Sequence, residues 1–204
     1  MLDISSTVAT ARFKWVQAAD GGSTGRAMLA AFRRIGLRLQ RTIMQNASDA
    51  LLRRRTGNLT RAVTYRLEGS ESSAELVVRA GVDLSRAVYG RIQNFGGIIK
   101  PVNGKFLTIP VGVNKTGNGV MRVSAREFIR NPGSIGFTGS FVNRAKTAIM
   151  GVRENGKIEP VFALKTSVKI RKTGFVTNAL AQDEDYILDQ VSGAAADVTR
   201  ELAD

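Results

Sequence analysis

The chain has 204 residues, 43% of them hydrophobic, which is typical of a globular protein with a buried core. It contains no cysteine and no histidine, which excludes disulfides, thiolate metal sites and the residue type that most often serves as general base or zinc ligand. The net charge is +13, yet from residue 183 onward seven acids accompany one base, so the rest of the chain combines 29 bases with 10 acids.

The N-terminal part predicts an arm followed by a long helix. Residues 1–23, which run into the glycine-rich DGGSTG at residues 20–25, are predicted to form a flexible arm. From Thr24 to Arg54, apolar residues recur at steps of three or four, as on one face of a helix. Gly36 lies inside this helix and destabilises it by about 1 kcal/mol relative to alanine, which argues against an unbroken helix. The apolar face consists of Met28, Phe32, Ile35, Leu39, Ile43, Ala47 and Leu51.

The middle of the chain predicts short strands around one inserted helix. LTRAVTYRL fits either a short helix or a strand, whereas AELVVRAGV and KFLTIPV have the pattern of strands. Between them, Ser85 is expected to cap a short helix that ends at the double glycine 96–97. Val88, Ile92 and Phe95 are spaced so as to face the core, so Phe95→Ala would cost about 3–5 kcal/mol.

The C-terminal part predicts a hairpin and a final helix. Asn155-Gly156 separates two apolar segments and suits a type I′ turn, and LKTSVKI is expected to extend the same sheet. A helix is predicted over residues 173–204, with Val176, Leu180, Ile187 and Val191 on its apolar face and Val198 and Leu202 continuing it. Residues 112–146 are rich in glycine, asparagine, serine and arginine, and we expect this long loop to order fully only against a partner.

Together these elements predict an α+β fold. We expect an antiparallel β-sheet with a long N-terminal helix, a short inserted helix and an acidic C-terminal helix. Residues 24–204 are predicted to form a single domain, with the loop at about 112–146 as an insertion. Carboxylates outside the C-terminus are scattered singly, so we expect no enzyme activity, no catalytic residue, no metal site and no cofactor.

Two groups of charged residues are candidates for contacts with a subunit, a partner or DNA. The basic group contains Arg34, Arg38 and Arg41 on one helical face with Arg33 beside them, and Arg122, Arg126 and Arg130 in the long loop. The acidic group contains Asp183, Glu184, Asp185 and Asp189. The basic stripe fits either a solvated helix back or a docking face for phosphates or acidic subunits. The acidic residues fit either a favourable helix N-terminus or an intersubunit contact.

The order of several segments resembles a known family. RRTGNLTRAV, AGVDLSRAVYGRIQNFGG, KFLTIPV and PVFALKTSVKIRKTGFVTNAL follow one another as in the neck or tail-completion proteins of long-tailed bacteriophages. The matching positions are Thr56, Gly57, Leu59, Arg61, Tyr89, Ile92, Phe95, Gly96, Lys169, Arg171, Phe175 and Leu180. Many members have Arg-Pro-Phe before the last helix, where this chain has Thr173-Gly174-Phe175.

The resemblance implies a virion structural protein that forms a ring at the head–tail junction, joins tail to head and lets DNA pass. The expected partners are further copies of the chain, other neck and tail proteins and, without sequence specificity, genomic DNA. The expected location is the virion, after assembly in the host cytoplasm, and no membrane contact is expected. The alternative is a basic nucleic-acid-binding module without catalytic activity. The argument for it is the excess of bases over acids in the residues before Asp183.

Overall fold

The computed structural model describes residues 2–5, 8–14, 22–50, 52, 57–73 and 75–201, and over these residues the fold is α+β. The strands are β1 (Leu2–Ser5), β2 (Val8–Lys14), β3 (Val63–Glu68), β4 (Glu75–Val82), β5 (Gly97–Ile99), β6 (Leu107–Pro110), β7 (Gly139–Val142), β8 (Ala148–Val152), β9 (Ile158–Lys165) and β10 (Val168–Ile170). The α-helices are α1 (Gly22–Gln45), α2 (Asn58–Arg61), α3 (Gly90–Phe95), α4 (Ala125–Arg130), α5 (Thr177–Gln182) and α6 (Glu184–Glu201).

The chain divides into two compact units instead of the single domain predicted for residues 24–204. The first unit contains Met1–Gly96 and Arg171–Asp204, and the second contains Gly97–Ile170. Each unit has its own cluster of buried apolar residues. The sequence pattern identifies strands but does not tell which of them share a sheet. The division into two units can therefore not be predicted from this pattern.

The first unit packs α1 on an antiparallel sheet with the strand order β1-β2-β4-β3. The predicted helical face of α1 is confirmed over the described residues, since Met28, Phe32, Ile35, Leu39, Ile43 and Ala47 are buried, while Leu51 lies outside them. The helix continues as a π-helical turn over Asn46–Ala50, while the predicted end at Arg54 lies outside the described residues. A Cβ at Gly36 would lie 2.4 Å from the Tyr65 ring, so this glycine lets α1 approach the sheet closely.

The N-terminal residues differ from the predicted flexible arm. β1 pairs with β2, and β2 pairs along its whole length with β4, from Val8 opposite Gly81 to Lys14 opposite Glu75. This pairing satisfies backbone groups on the edge of β4 that would otherwise face solvent. The pairing joins segments more than 60 residues apart, which local sequence patterns cannot reveal.

The ambiguous LTRAVTYRL divides into α2 and β3, and the inserted helix is shorter than predicted. Helix α3 begins only at Gly90, because the turn before it is closed by Asp83, whose Oδ1 accepts hydrogen bonds from the backbone and hydroxyl of Ser85. The expectation that Val88 and Phe95 face the core is therefore wrong. Their exposed fractions are 79% and 39%, and Asn94 is the fully buried side chain of this helix.

The second unit has a sheet of strand order β6-β9-β8-β7 and a small sheet in which β5 pairs with β10. The β8–β9 hairpin is confirmed, but its turn is not type I′, since Gly156 has positive φ and Asn155 does not. A turn from Arg153 to the left-handed Gly156 closes it instead. The expectation that LKTSVKI extends the same sheet is also wrong, because β10 pairs with β5.

Residues 112–146 are not a structureless loop, contrary to the prediction. They contain α4, β7 and two short 3₁₀ turns, and they bury Phe128 and Phe137 in the core of the second unit. The two rings meet edge to face with centroids 5.6 Å apart. Asn114 is buried and exchanges two hydrogen bonds with the backbone of Val123, while the Ser124 hydroxyl caps α4. Local hydrogen bonds and two buried rings thus order this segment within the unit itself.

The predicted C-terminal helix is present as two helices, α5 and α6, interrupted at Asp183. Val176, Leu180 and Ile187 are buried, which confirms the predicted apolar face. The chain is tied to α3 just before α5, since the Asn94 side-chain oxygen accepts a hydrogen bond from the Val176 backbone at 2.9 Å.

Candidate functional site

Helix α1 presents a basic outer face in the first unit. Arg33, Arg34, Arg38 and Arg41 are all exposed, as the predicted stripe requires. Between Gly22 and Gln45 the helix contains no acidic residue. The face therefore has a positive charge that only other elements can neutralise.

One of these arginines forms an ion pair with the acidic C-terminal region of its own chain. Arg38 Nε lies 2.9 Å from Asp183 Oδ1, and the Asp183 side chain is only 1% exposed. The Arg38 guanidinium also lies over the Tyr186 ring, 5.5 Å from its centroid. The hydrogen bond with Asp183, followed by its negative charge, raises the pKa of Arg38 above its ordinary value. Asp183, predicted as a contact for another subunit, is thus part of the core side of α6.

A second bond sets the direction of the two helices. Arg34 Nε donates to the side-chain oxygen of Gln190. Arg38 bonds Asp183, whereas Arg34, one turn earlier on α1, bonds Gln190, which comes later in the chain than Asp183. Helices α1 and α6 are therefore antiparallel neighbours joined by polar contacts at their exposed rim.

The remaining candidates on these helices are charged and accessible. Glu184, Asp185 and Asp189 are exposed on α6, and Arg33 and Arg41 are exposed on α1. None of the five forms an ion pair with a residue that the structure describes. Their charges are available to a partner.

Exposed apolar residues, which the sequence pattern does not predict, accompany these charges. Leu37 and Leu188 are each 55% exposed, and Met44 is exposed as well. Leu37, Arg41 and Met44 line an open groove of about 620 Å³ beside α2. An apolar residue at a polar position of a helical pattern is the signal that could have identified them.

A second open groove, of about 850 Å³, lies at the other side of α1 and is lined partly by Arg33 and Tyr65. Its wall on the sheet side is the polar turn Gly69–Ser72, which places the Glu71 carboxylate among the lining residues. Because an anion would meet that carboxylate, this groove is a poor phosphate site.

The second unit contains the remaining basic candidates. Arg122, Arg126 and Arg130 are exposed on and beside α4, and Arg122 donates to the Lys115 backbone oxygen. Residues 97–170 contain twelve bases and three acids, so this unit has a net charge of +9. Glu159 is already paired with Lys157 and Arg153, at 2.7 and 3.0 Å. The hydrogen bonds from Lys157 and then Arg153 hold the pKa of Glu159 below its ordinary value.

Asn94 is a structurally important residue whose role the sequence pattern does not predict. It is fully buried, and its backbone and side-chain oxygens accept hydrogen bonds from Gly174 and Val176. It thereby joins the inserted helix to the start of α5, around the buried Phe175. Periodicity does not distinguish a buried asparagine from an exposed one, and only the bonds across 80 residues of chain reveal its role.

Among the described residues, no group of three or more histidine, cysteine, aspartate or glutamate side chains could hold a metal ion. None of the helices over these residues is long and apolar enough to cross a membrane. No protein-family model matches the chain, and neither the curated proteins nor the solved structures contain a significant match.

Proposed function

We propose that the protein is a virion structural protein of a tailed bacteriophage, which forms a ring at the head–tail junction and joins the tail to the head. The observation that carries this proposal is the order of motifs over residues 55–190, which resembles that of neck and tail-completion proteins. Three motif residues, Leu59, Phe175 and Leu180, are buried in the first unit. These three positions of the motifs therefore belong to the scaffold, as expected for a protein that acts by assembly.

The charges of the first unit also support self-assembly. Each copy has cations on α1 and carboxylates on α6 that form no ion pair with the part of the chain that the structure describes, so copies of the chain are electrostatically complementary. Oligomers with such heterologous contacts form rings when the rotation between neighbours closes.

Two measurements test the proposal. Native mass spectrometry of the purified chain should give one closed oligomer, and phage particles should contain the protein at the neck when labelled with a specific antibody for electron microscopy. A protein that is absent from purified particles would refute the proposed role, whatever its oligomeric state.

A second candidate function, non-specific binding of nucleic acid, is favoured by the net charge of +9 in residues 97–170. We expect duplex DNA to bind with a strong dependence on salt, because each neutralised phosphate contributes about 0.9 to the slope of log K against log salt. Replacing Arg122, Arg126 and Arg130 by alanine should then reduce the slope by about 2–3. The matched replacement of Arg33, Arg34 and Arg41 should leave it unchanged, and equal slopes for both variants would contradict a site in the second unit.

A further inference from the structure

Helix α1 exposes apolar surface in the middle of its basic outer face. Leu37 and Met44 lie two helical turns apart on the same side, with Arg41 between them. The groove beside them is also lined by Gln40, Gln45 and Ser48, which offer hydrogen bonds but no negative charge. Two exposed apolar side chains on one side of a charged helix, beside a groove, offer a surface on which an apolar residue of another chain can pack.

The electrostatics of this face select an acidic occupant. Arg34 and Arg41 flank Leu37 one turn before and one turn after it, and Arg33 lies beside them. Arg34 bonds only a neutral amide, and Arg33 and Arg41 have no carboxylate partner among the residues described. The fitting ligand is therefore a helix with an apolar residue between carboxylates.

The chain itself contains a helix of this kind. Asp185, Leu188 and Asp189 lie at spacings of three and four on α6 and are all exposed. One turn further on, Ser192 and Ala196 continue the same side with small residues, which allow another helix to approach closely. The outer face of α6 thus offers one leucine flanked by two carboxylates.

Within one copy this face cannot reach the groove. Helix α6 contacts its own α1 through the opposite side, on which Asp183, Ile187 and Gln190 lie. That contact pairs Arg38 of α1 with Asp183, which lies just before α6. An ion pair between an arginine of α1 and a carboxylate of this acidic region therefore already forms within one chain. The outer carboxylates remain available to a second copy.

We propose that the outer face of α6, with Asp185, Leu188 and Asp189, docks on the outer face of α1 of a second copy, with Leu37, Arg41 and Met44. This inference deepens the proposed function and rests on it, since it names the surface through which copies of the chain associate. Leu188 packs between Leu37 and Met44, and the carboxylates of α6 pair with Arg41 and Arg34 or Arg33. Because every copy has both faces, the contact can be repeated from copy to copy.

A charge-exchange experiment on the full chain tests this assignment. One variant combines Arg33→Glu with Arg41→Glu, so both faces are acidic, and a second combines Asp185→Lys with Asp189→Lys, so both faces are basic. Each variant alone should lose self-association by about 100-fold or more in Kd, because like charges across an interface are strongly repulsive. An equimolar mixture should recover oligomers that contain both variants in equal numbers, as measured by native mass spectrometry.

A matched control reverses two exposed charges of the second unit, with Lys105→Glu and Arg144→Glu. This variant undergoes the same change in net charge as the first variant, and its self-association should stay close to that of the wild type. Circular dichroism should show equal helix content in all variants, which separates loss of the interface from loss of the fold.

The outcomes distinguish the interface from the proposed function. A wild-type oligomer that persists in both charge variants, or a mixture that fails to recover oligomers, overturns the interface and leaves the virion role intact. A wild-type chain that is monomeric at its highest soluble concentration overturns the interface as well. Recovery of mixed oligomers together with absence from phage particles would support the interface and refute the virion role.

Discussion

The two units of this protein differ in how they form a core and in the charges on their surfaces. The first unit packs a 24-residue helix against a four-stranded sheet, and its buried residues are mainly aliphatic. The second unit gathers short elements around Phe128, Phe137 and Phe162. The first contains 18 bases and 14 acids, whereas the second contains 12 bases and three acids.

This difference changes the interpretation of the net charge. The sequence separates a basic body from an acidic C-terminus, but the structure brings that C-terminus against α1, where Arg38 and Asp183 form an ion pair. The first unit is thus close to balanced, with a net charge of +4, and the second has most of the excess. Complementary charges favour association between copies in the first unit, and uniform charge favours a polyanion in the second.

The substitution with the largest expected effect tests whether the core of the second unit is independent of the core of the first. Phe128→Ala removes a fully buried ring and should destabilise the second unit by about 3–5 kcal/mol. Hydrogen exchange measured by mass spectrometry should show faster exchange in residues 97–170, while the peptides of α1 and β4 keep their protection. Phe141→Ala is the control, because this ring is exposed and its loss should have a small effect. Equal loss of protection in both units would show that the cores are coupled.

The next prediction concerns the joint between α3 and α5 in the first unit. Asn94→Ala leaves the buried Val176 backbone N–H without its acceptor and should cost about 1–3 kcal/mol. Phe95→Ala should cost less than Asn94→Ala and less than the ~3–5 kcal/mol that burial of its ring would give, because Phe95 is 39% exposed. Urea unfolding of both variants measures the difference, and a larger loss for Phe95→Ala would contradict the described packing of α3.

Two glycine substitutions, one at the contact of α1 with its sheet and one as a control in α6, test how closely α1 lies on the sheet. Gly36→Ala should destabilise the first unit by about 1–3 kcal/mol, because the new methyl would collide with Tyr65 and Val78. At Gly193 in α6 the new methyl of an alanine meets, beyond its own helix backbone, no atom within 4 Å among the residues that the structure describes, so Gly193→Ala should stabilise the helix by about 0.5–1 kcal/mol. The sign of each change in thermal unfolding is the readout, and stabilisation by Gly36→Ala would mean that the helix lies further from the sheet.

The smallest expected effect is a pH dependence that differs between the units. The pKa of Glu159 is lowered in the folded second unit, so its ionised form stabilises that unit above the ordinary value of 4.5. This contribution disappears as the pH falls through the lowered pKa of the folded state. Glu159→Gln should therefore reduce the loss of thermal stability below about pH 4.5.

Asp83 provides the corresponding test in the first unit. Hydrogen bonds from the hydroxyl and then the backbone of Ser85 lower the pKa of Asp83, so its stabilising contribution is also lost in acid. Asp83→Asn should reduce the acid sensitivity of the first unit and leave that of the second unchanged. Calorimetric melts from pH 3 to 6 of the two variants would contradict this if they showed no change in slope.

Elements with a strong local signal could be predicted from the sequence. The apolar period of α1, the β-branched run of β4, the β8–β9 hairpin and the face of Leu180 and Ile187 are all present where expected, and so is the α+β class. These predictions succeed because the pattern of apolar residues and the preferred turn residues act over a few positions along the chain. The exposure of Arg33, Arg34, Arg38 and Arg41 follows from the same helical period.

The remaining features depend on contacts between distant parts of the chain. The pairing of β2 with β4, the burial of Phe128 and Phe137, and the bond of Asn94 to Val176 join segments that local patterns treat separately. Contacts between distant parts of the chain also explain why the acidic residues differ in exposure. Sequence alone identifies Asp183 and Asp189 as equal members of one acidic group, whereas packing of α6 on α1 buries the first against Arg38 and leaves the second free to meet another molecule.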